Sequence, residues 1–204
     1  MNEQARKRVP RDVRETAILE AALKAFSEDG YAGASLKRIA TDAGLASPQL
    51  LAWYFPSKRD LYLRTMLRYA AVFADLHVGL EEWEHDPAQY LHRIAERFLA
   101  GFSDPSVRMA YRLILRSPQA NSNRHLTEYR PENIYSVLEN YLDRQVKAGA
   151  IQCGDCAMAA SAFVALLWGQ ATSRLFPMLT PPPHSDEEWA RYSVQIFLYG
   201  LKPR

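Results

Sequence analysis

Apolar side chains three and four apart recur along nearly the whole chain, and no stretch alternates as a half-buried strand would. The spacing predicts an all-α fold. From Arg14, the stripe Leu19, Ala22, Leu23 and Phe26 gives a first helix, with Gly30 as its stop. Ser35 is placed to cap a second helix that buries Leu36, Ile39 and Ala40 and stops near Gly44. Ser47-Pro48 reads as a cap followed by proline at the first helical position. It opens a third helix through about Phe55, with Leu51 and Phe55 facing inward. Ser57-Lys-Arg-Asp60 resembles a capping box, Asp standing for the usual Glu, and starts a long helix through about Val78. The pairs Asp86-Pro87, Asp104-Pro105 and Arg130-Pro131 predict helices near 87–102, 105–116 and 131–148. Residues 155–176 are apolar almost all round, so that helix needs cover on more than one side. The stretch "FPMLTPPPH", Phe176 to His184, is a proline-rich connector to a last amphipathic helix at about 185–201.

Composition narrows the function classes. A chain of 204 residues with 48% hydrophobic and 24% charged side chains has ordinary globular usage. Its net charge of +2 does not by itself announce a nucleic-acid binder. The distribution says more, because Arg6, Lys7, Arg8, Arg11 and Arg14 crowd the start against only Glu3 and Asp12. Such an arm either grips phosphate or merely solubilises the terminus. The N-terminus lacks the apolar stretch of a secretory peptide. Cys156 to Gln170, the longest nearly uncharged run, falls short of the ~20 residues of a membrane span, so no membrane partner is expected. Two cysteines form no disulfide framework, which makes the reducing cytoplasm the expected compartment.

Three short helices near the N-terminus, the last two joined by a Gly-containing turn, follow the helix-turn-helix pattern. In that arrangement the first helix of the pair crosses the phosphate backbone and the second lies in the major groove of double-stranded DNA. The outward face then needs polar and flat aromatic groups, which Ser47, Gln49, Trp53 and Tyr54 supply, with Pro48 opening the segment. Gln pairs bidentately with adenine, an outward Leu50 could meet a thymine methyl, and hydroxyls meet phosphates or bases. Lys58, at the start of the next helix, could reach a phosphate together with helix N-terminal amides. Ser35 and Lys37, on the preceding helix, complete the candidate DNA-binding set. The same spacing also fits a helical hairpin whose aromatics simply pack inside.

Residues 14–61 resemble the N-terminal domain of TetR-family transcriptional regulators. The resemblance runs through "ILEAALKAFSEDGYAGASLKRIATDAGLASP" and ends in "WYFPSKRDL". Its matched positions include Phe26, Gly30, Tyr31, Ser35, Leu36, Ile39, Ala40, Ala43, Gly44, Tyr54, Phe55, Lys58 and Leu61. The chain departs from the family pattern at Ala52, where tyrosine is common, and in a Gly44–Phe55 interval one residue longer than usual. Charge sets off a basic arm at 1–13, and the resemblance implies a DNA-binding head at 14–60 and a helical ligand-binding and dimerisation domain at 61–204. It also implies a regulator, most simply a repressor, released by a small-molecule effector.

The second half agrees with that division. Ala159, Ala160, Ser161, Ala162, Ala165 and Gly169 would let the helix at about 155–176 approach a neighbour closely. With the final helix at about 185–201 it could form a four-helix interface in a homodimer. Two heads would then sit about one DNA turn, ~34–36 Å, apart, over a palindromic operator. Phe73, Phe98, Phe102, Tyr111, Tyr135, Leu138, Phe163 and Trp168 lie on helices expected to converge around a mostly apolar effector, which a Tyr hydroxyl or His77 would orient. Ordinary core aromatics would show the same pattern.

An enzyme is not expected, and neither is a cofactor or metal. Glu82-Trp-Glu-His85 has the spacing of a di-iron helix but no second copy, so its acidic neighbourhood reads as a solvated helix end. Cys153-Gly-Asp-Cys156 is a Cys-x-x-Cys that would suit a thiol redox input to the same DNA-binding output. Asp155 within it is equally a helix cap.

Overall fold

The computed structural model describes residues 10–73, 75–116, 134–176 and 184–200, and among them every regular element is helical. The chain divides into two compact units, Met1–Tyr69 with Met109–Leu126, and Ala70–Arg108 with Thr127–Arg204.

In the first unit α1 spans Arg11–Gly33, α2 Leu36–Asp42, α3 Leu51–Tyr54 and α4 Lys58–Ala70. Gly30 has φ 69°, a left-handed value that interrupts the helical path inside α1, so the expected stop is a real break. Ser35 caps α2 by accepting from the Arg38 amide at 3.4 Å. At its other end Gly44, with φ 67°, lets the Leu45 amide reach back to the Ala40 carbonyl at 2.9 Å. Ile18, Leu23 and Phe26 of α1 are buried with Ile39 and Ala40 of α2, and with Leu51, Phe55, Leu61 and Tyr62. Phe26 and Tyr31 both meet the Tyr62 ring edge-on, each with centroids 5.2 Å away.

Three expectations need correction in this unit. Leu36 is 38% exposed: it stands on the face of Ile39 and Ala40, but at the open first position of α2 it is only partly covered. Ser47 makes no capping bond, and the third helix opens as a 3-10 turn, Pro48–Leu50, before four α-helical residues. The helix that begins beside Ser57 ends at Ala70 and does not run to Val78. A 3-10 turn, Ala71–Phe73, and a turned segment closed at Gly79 (φ 72°) follow it.

The second unit contains α5 Pro87–Gly101, α7 Ile134–Lys147, α8 Cys156–Ser173 and α9 Asp186–Gly200, with α6 Pro105–Arg116 running between the units in sequence. The predicted helix start at Arg130-Pro131 and most of the proline-rich connector lie outside the described residues. Asp86 caps α5 through the Ala88 and Gln89 amides at 3.0 and 3.1 Å, and Asp155 caps α8 through the Met158 amide at 2.8 Å. α7 packs along α8, and α9 lies against both α5 and α8. Phe163 meets Phe197 at 4.9 Å between centroids, and the Trp189 indole donates to the Leu166 carbonyl at 3.2 Å.

Polar side chains tie the connecting segments down. Arg97 donates to the Leu76 and Val78 carbonyls at 2.9 and 2.7 Å. Arg174 donates to the Leu99 carbonyl and pairs with Asp186. Glu84 is no solvated helix end: Arg144 grips its carboxylate at 2.7 and 3.3 Å, and Gln145 donates to its carbonyl at 2.7 Å. Beside it Tyr90 and Tyr141 stack 3.8 Å apart, and burial pushes both phenols above their ordinary range.

The uncharged run does not stop at Gln170 but fills α8 to Ser173. Contrary to the expectation that it falls short, α8 is the one described helix long and apolar enough to cross a membrane by length and composition. Within the chain its cover is one-sided. Phe163, Val164, Leu167 and Ala171 are buried, while Met158, Ser161, Ala162, Ala165 and Gly169 are exposed.

Candidate nucleic-acid interface

The candidate interface stands on the platform of the first unit. Leu51 and Phe55 are each 3% exposed and anchor the short segment Pro48–Tyr54. Anchoring them turns Gln49, Leu50 and Trp53 outward, since residues three and four apart share a helical face. Trp53 is 83% exposed, which excludes the inward-packed hairpin for this ring. Tyr54 and Ser47 are half-buried, and Pro48 is exposed.

Many cations of this unit already have partners. Arg14 donates to the Gly44 carbonyl at 3.1 Å, fastening α1 to the turn between α2 and the outward segment. Arg38 is held by Glu28, by Asp29 at 2.9 Å and by Asp42 at 3.5 Å. The guanidinium keeps the Glu28 carboxyl below its ordinary range. Lys58 donates to the Ala32 carbonyl at 3.0 Å and sits 5.3 Å from the Tyr31 ring centroid. Its ammonium braces the end of α1, leaving two of its three donors for anything outside. Lys37 is exposed on α2, and Ser35 is occupied in its capping bond. Arg59, exposed in the first turn of α4, is a candidate the sequence reading passed over. Its signal was available, since it follows the Ser57 cap, whose hydroxyl accepts from the Asp60 amide at 3.0 Å.

The proposed effector residues fall into groups. Phe73, Phe98, Phe102 and Trp168 form one aromatic cluster, with neighbouring centroids 4.9 to 5.7 Å apart. Leu138 is fully buried on α7, and Phe163 faces Phe197. Tyr135 is 40% exposed, His77 lies half-buried in the turned segment, and Tyr111 belongs to the first unit. Two grooves run along α9, and none of the nine selected residues lines either.

The Cys156 thiol offers little nucleophile. Burial, followed by hydrogen bonds to Cys153 and Asp143, pushes the Cys156 thiol up to about 12. At neutral pH it is almost wholly protonated, the opposite of an activated redox cysteine. Among the described residues no cluster of His, Cys, Asp and Glu could hold a metal ion.

A buried three-helix platform that turns a short polar and aromatic segment outward, joined to a larger helical unit, defines a helix-turn-helix regulator. Residues 18–65 match the family model for bacterial regulatory proteins of the tetR family. Residues 89–200 match the C-terminal domain of AefR-like transcriptional repressors. The chain belongs to the TetR family of transcriptional regulators and is not an enzyme. It is 48% identical over 50 residues to the regulator RutR of Escherichia coli K12, a match spanning 24% of this chain and 23% of that protein. It is 24% identical over 200 residues to YvkB of Bacillus subtilis, an uncharacterised helix-turn-helix transcriptional regulator, covering 90% of this chain and 95% of that one. A Mesorhizobium loti protein assigned to the TetR family has a solved structure that aligns with TM-score 0.75 and 26% identity. That alignment covers 96% of this chain and 100% of the other.

Proposed function

We propose that the protein binds a palindromic operator in double-stranded DNA as a homodimer, represses from it in the cytoplasm, and is released by a small, largely apolar effector. The observation that carries the DNA-binding part is the outward face Gln49, Leu50 and Trp53 on a buried platform. Ser35, Lys37, Ser47, Tyr54, Lys58 and Arg59 surround it as phosphate-contact candidates, at positions where hydroxyl, ammonium and guanidinium groups commonly meet the backbone.

Dimerisation is supported by what α8 and α9 leave uncovered. The small residues Ser161, Ala162, Ala165 and Gly169 on α8 are exposed, as are Tyr192, Ile196 and Tyr199 on α9. A second copy would cover both stripes around a twofold axis. The match to a repressor C-terminal domain favours repression over activation. An effector held beside Phe98, Phe102 and Trp168 would shift the population toward a head spacing that no longer fits both half-sites. Moving occupancy 100-fold requires a differential affinity of about 2.7 kcal/mol. Thiol redox input through Cys153 and Cys156 is disfavoured by the protonated state of Cys156.

The test is selection of bound sequences from a random duplex pool at two salt concentrations. A recovered palindrome whose affinity falls steeply with salt is the expected result. Failure to retain any duplex at low salt would refute the proposal.

A further inference from the structure

From Ala43 to Ser57 the chain carries no charged side chain, and this stretch contains the whole outward segment. We propose that the half-site is a run of A·T pairs in which Leu50 and Trp53 recognise thymine by its 5-methyl group, while Gln49 takes an adjacent adenine. The inference rests on the DNA-binding reading above and names the base chemistry that reading leaves open.

The argument runs by what each base edge requires. Guanine in the major groove presents two acceptors and is read chiefly by Arg or Lys, and the cytosine amino group is read by Asp or Glu. The outward face has none of these. The cations that flank the stretch lie outside the base-facing set: Arg38 is held by three carboxylates, Lys58 gives one donor to the Ala32 carbonyl, and the exposed Lys37 and Arg59 are assigned above to phosphates. An amide side chain matches the donor and acceptor pair of adenine. The thymine methyl is the apolar group on the major-groove edge, and apolar side chains meet it there. Leu50 is 39% exposed and Trp53 83% exposed, so both have apolar surface to bury on contact. The rim supplies the complementary charge, with Lys37 and Arg59 exposed on either side of the segment in sequence.

The experiment uses the full-length protein and the duplex recovered by selection, with each thymine replaced singly by deoxyuridine, which lacks only the methyl. Loss of one methyl contact should weaken binding roughly fourfold at one or more thymines in each half-site. Leu50→Ala or Trp53→Ala should lose a similar factor on the natural duplex and become indifferent to uracil at its own position. Both side chains are exposed, so circular dichroism should show folded variants. Uracil tolerated everywhere, a G·C core in the recovered site, or variants that stay sensitive to the methyl would each overturn the inference while DNA binding stands. Failure to bind any duplex would overturn both.

Discussion

Lys58 shows how one side chain can serve two ends. Its ammonium bonds to the Ala32 carbonyl and lies against Tyr31, so it holds the end of α1 to the start of α4. Lys58→Ala should therefore lower unfolding stability by about 1 kcal/mol, measured by urea denaturation, as well as weakening every duplex alike. Unchanged stability would mean that the brace is idle in solution. Its candidacy for phosphate contact comes from its place at a helix start, which the sequence shows. The brace was not, because Ala32 lies 26 residues earlier and only folding brings them together. Cys156 sets a pH limit. Its folded value near 12 exceeds the ordinary 9, so the folded state holds the proton more tightly. That contribution is complete below pH about 9 and drains away as pH climbs toward 12. The raised Tyr90 and Tyr141 phenols act in the same direction over the upper part of that range. Denaturation midpoints should hold from neutral pH to about 9 and fall progressively above it. Cys156→Ala should fall less steeply, and an equal slope would remove the thiol from the account.

At the scale of elements, boundaries set by local chemistry were legible and those set by packing were not. Ser35, Asp86 and Asp155 cap the helices they precede, since a short oxygen-bearing side chain finds its amide two or three residues away. The end of α4 was not legible, because apolar spacing continues past Ala70 while the chain turns away at Ala71–Phe73. What fixes the departing chain is remote: Gly101 on α5 lies against Val72 and Phe73 of the turn, and Arg97 captures the Leu76 and Val78 carbonyls beyond it. A Cβ at Gly101 would sit 2.9 Å from both the Phe73 ring and the Val72 side chain. Gly101→Val should destabilise the protein by about 1–3 kcal/mol through overpacking. A thermal scan checks it, and an unshifted midpoint would show that the bend yields freely. The same cluster explains why only part of the effector set gathers. Phe73, Phe98, Phe102 and Trp168 share one buried neighbourhood, whereas Tyr135 turns outward on α7, a choice of helical face that a single amphipathic sequence leaves undecided.

For the whole molecule, the apolar character of α8 and its run of small residues were legible, but the sequence left undecided that Ala160 turns inward while Ser161, Ala162, Ala165 and Gly169 stay exposed. The chain buries one face and leaves Ala162, Ala165 and Gly169 outside, next in sequence to a last helix that exposes Tyr192 and Tyr199. Ala165→Glu should place an unpaired carboxylate in the proposed interface. Sedimentation should then shift from dimer to monomer, and operator affinity should fall by at least tenfold. A dimer that persists would move the interface elsewhere. The uncharged stretch from Ala43 to Ser57 has a further consequence for a regulator in a living cell. Potassium rises and falls with osmotic stress, and every phosphate contact weakens as it rises. If the segment that chooses among sites adds no ionic contact of its own, correct and incorrect sites lose occupancy in proportion. Shrinking or swelling the cell would then change how much DNA the protein holds without changing its ranking of genes.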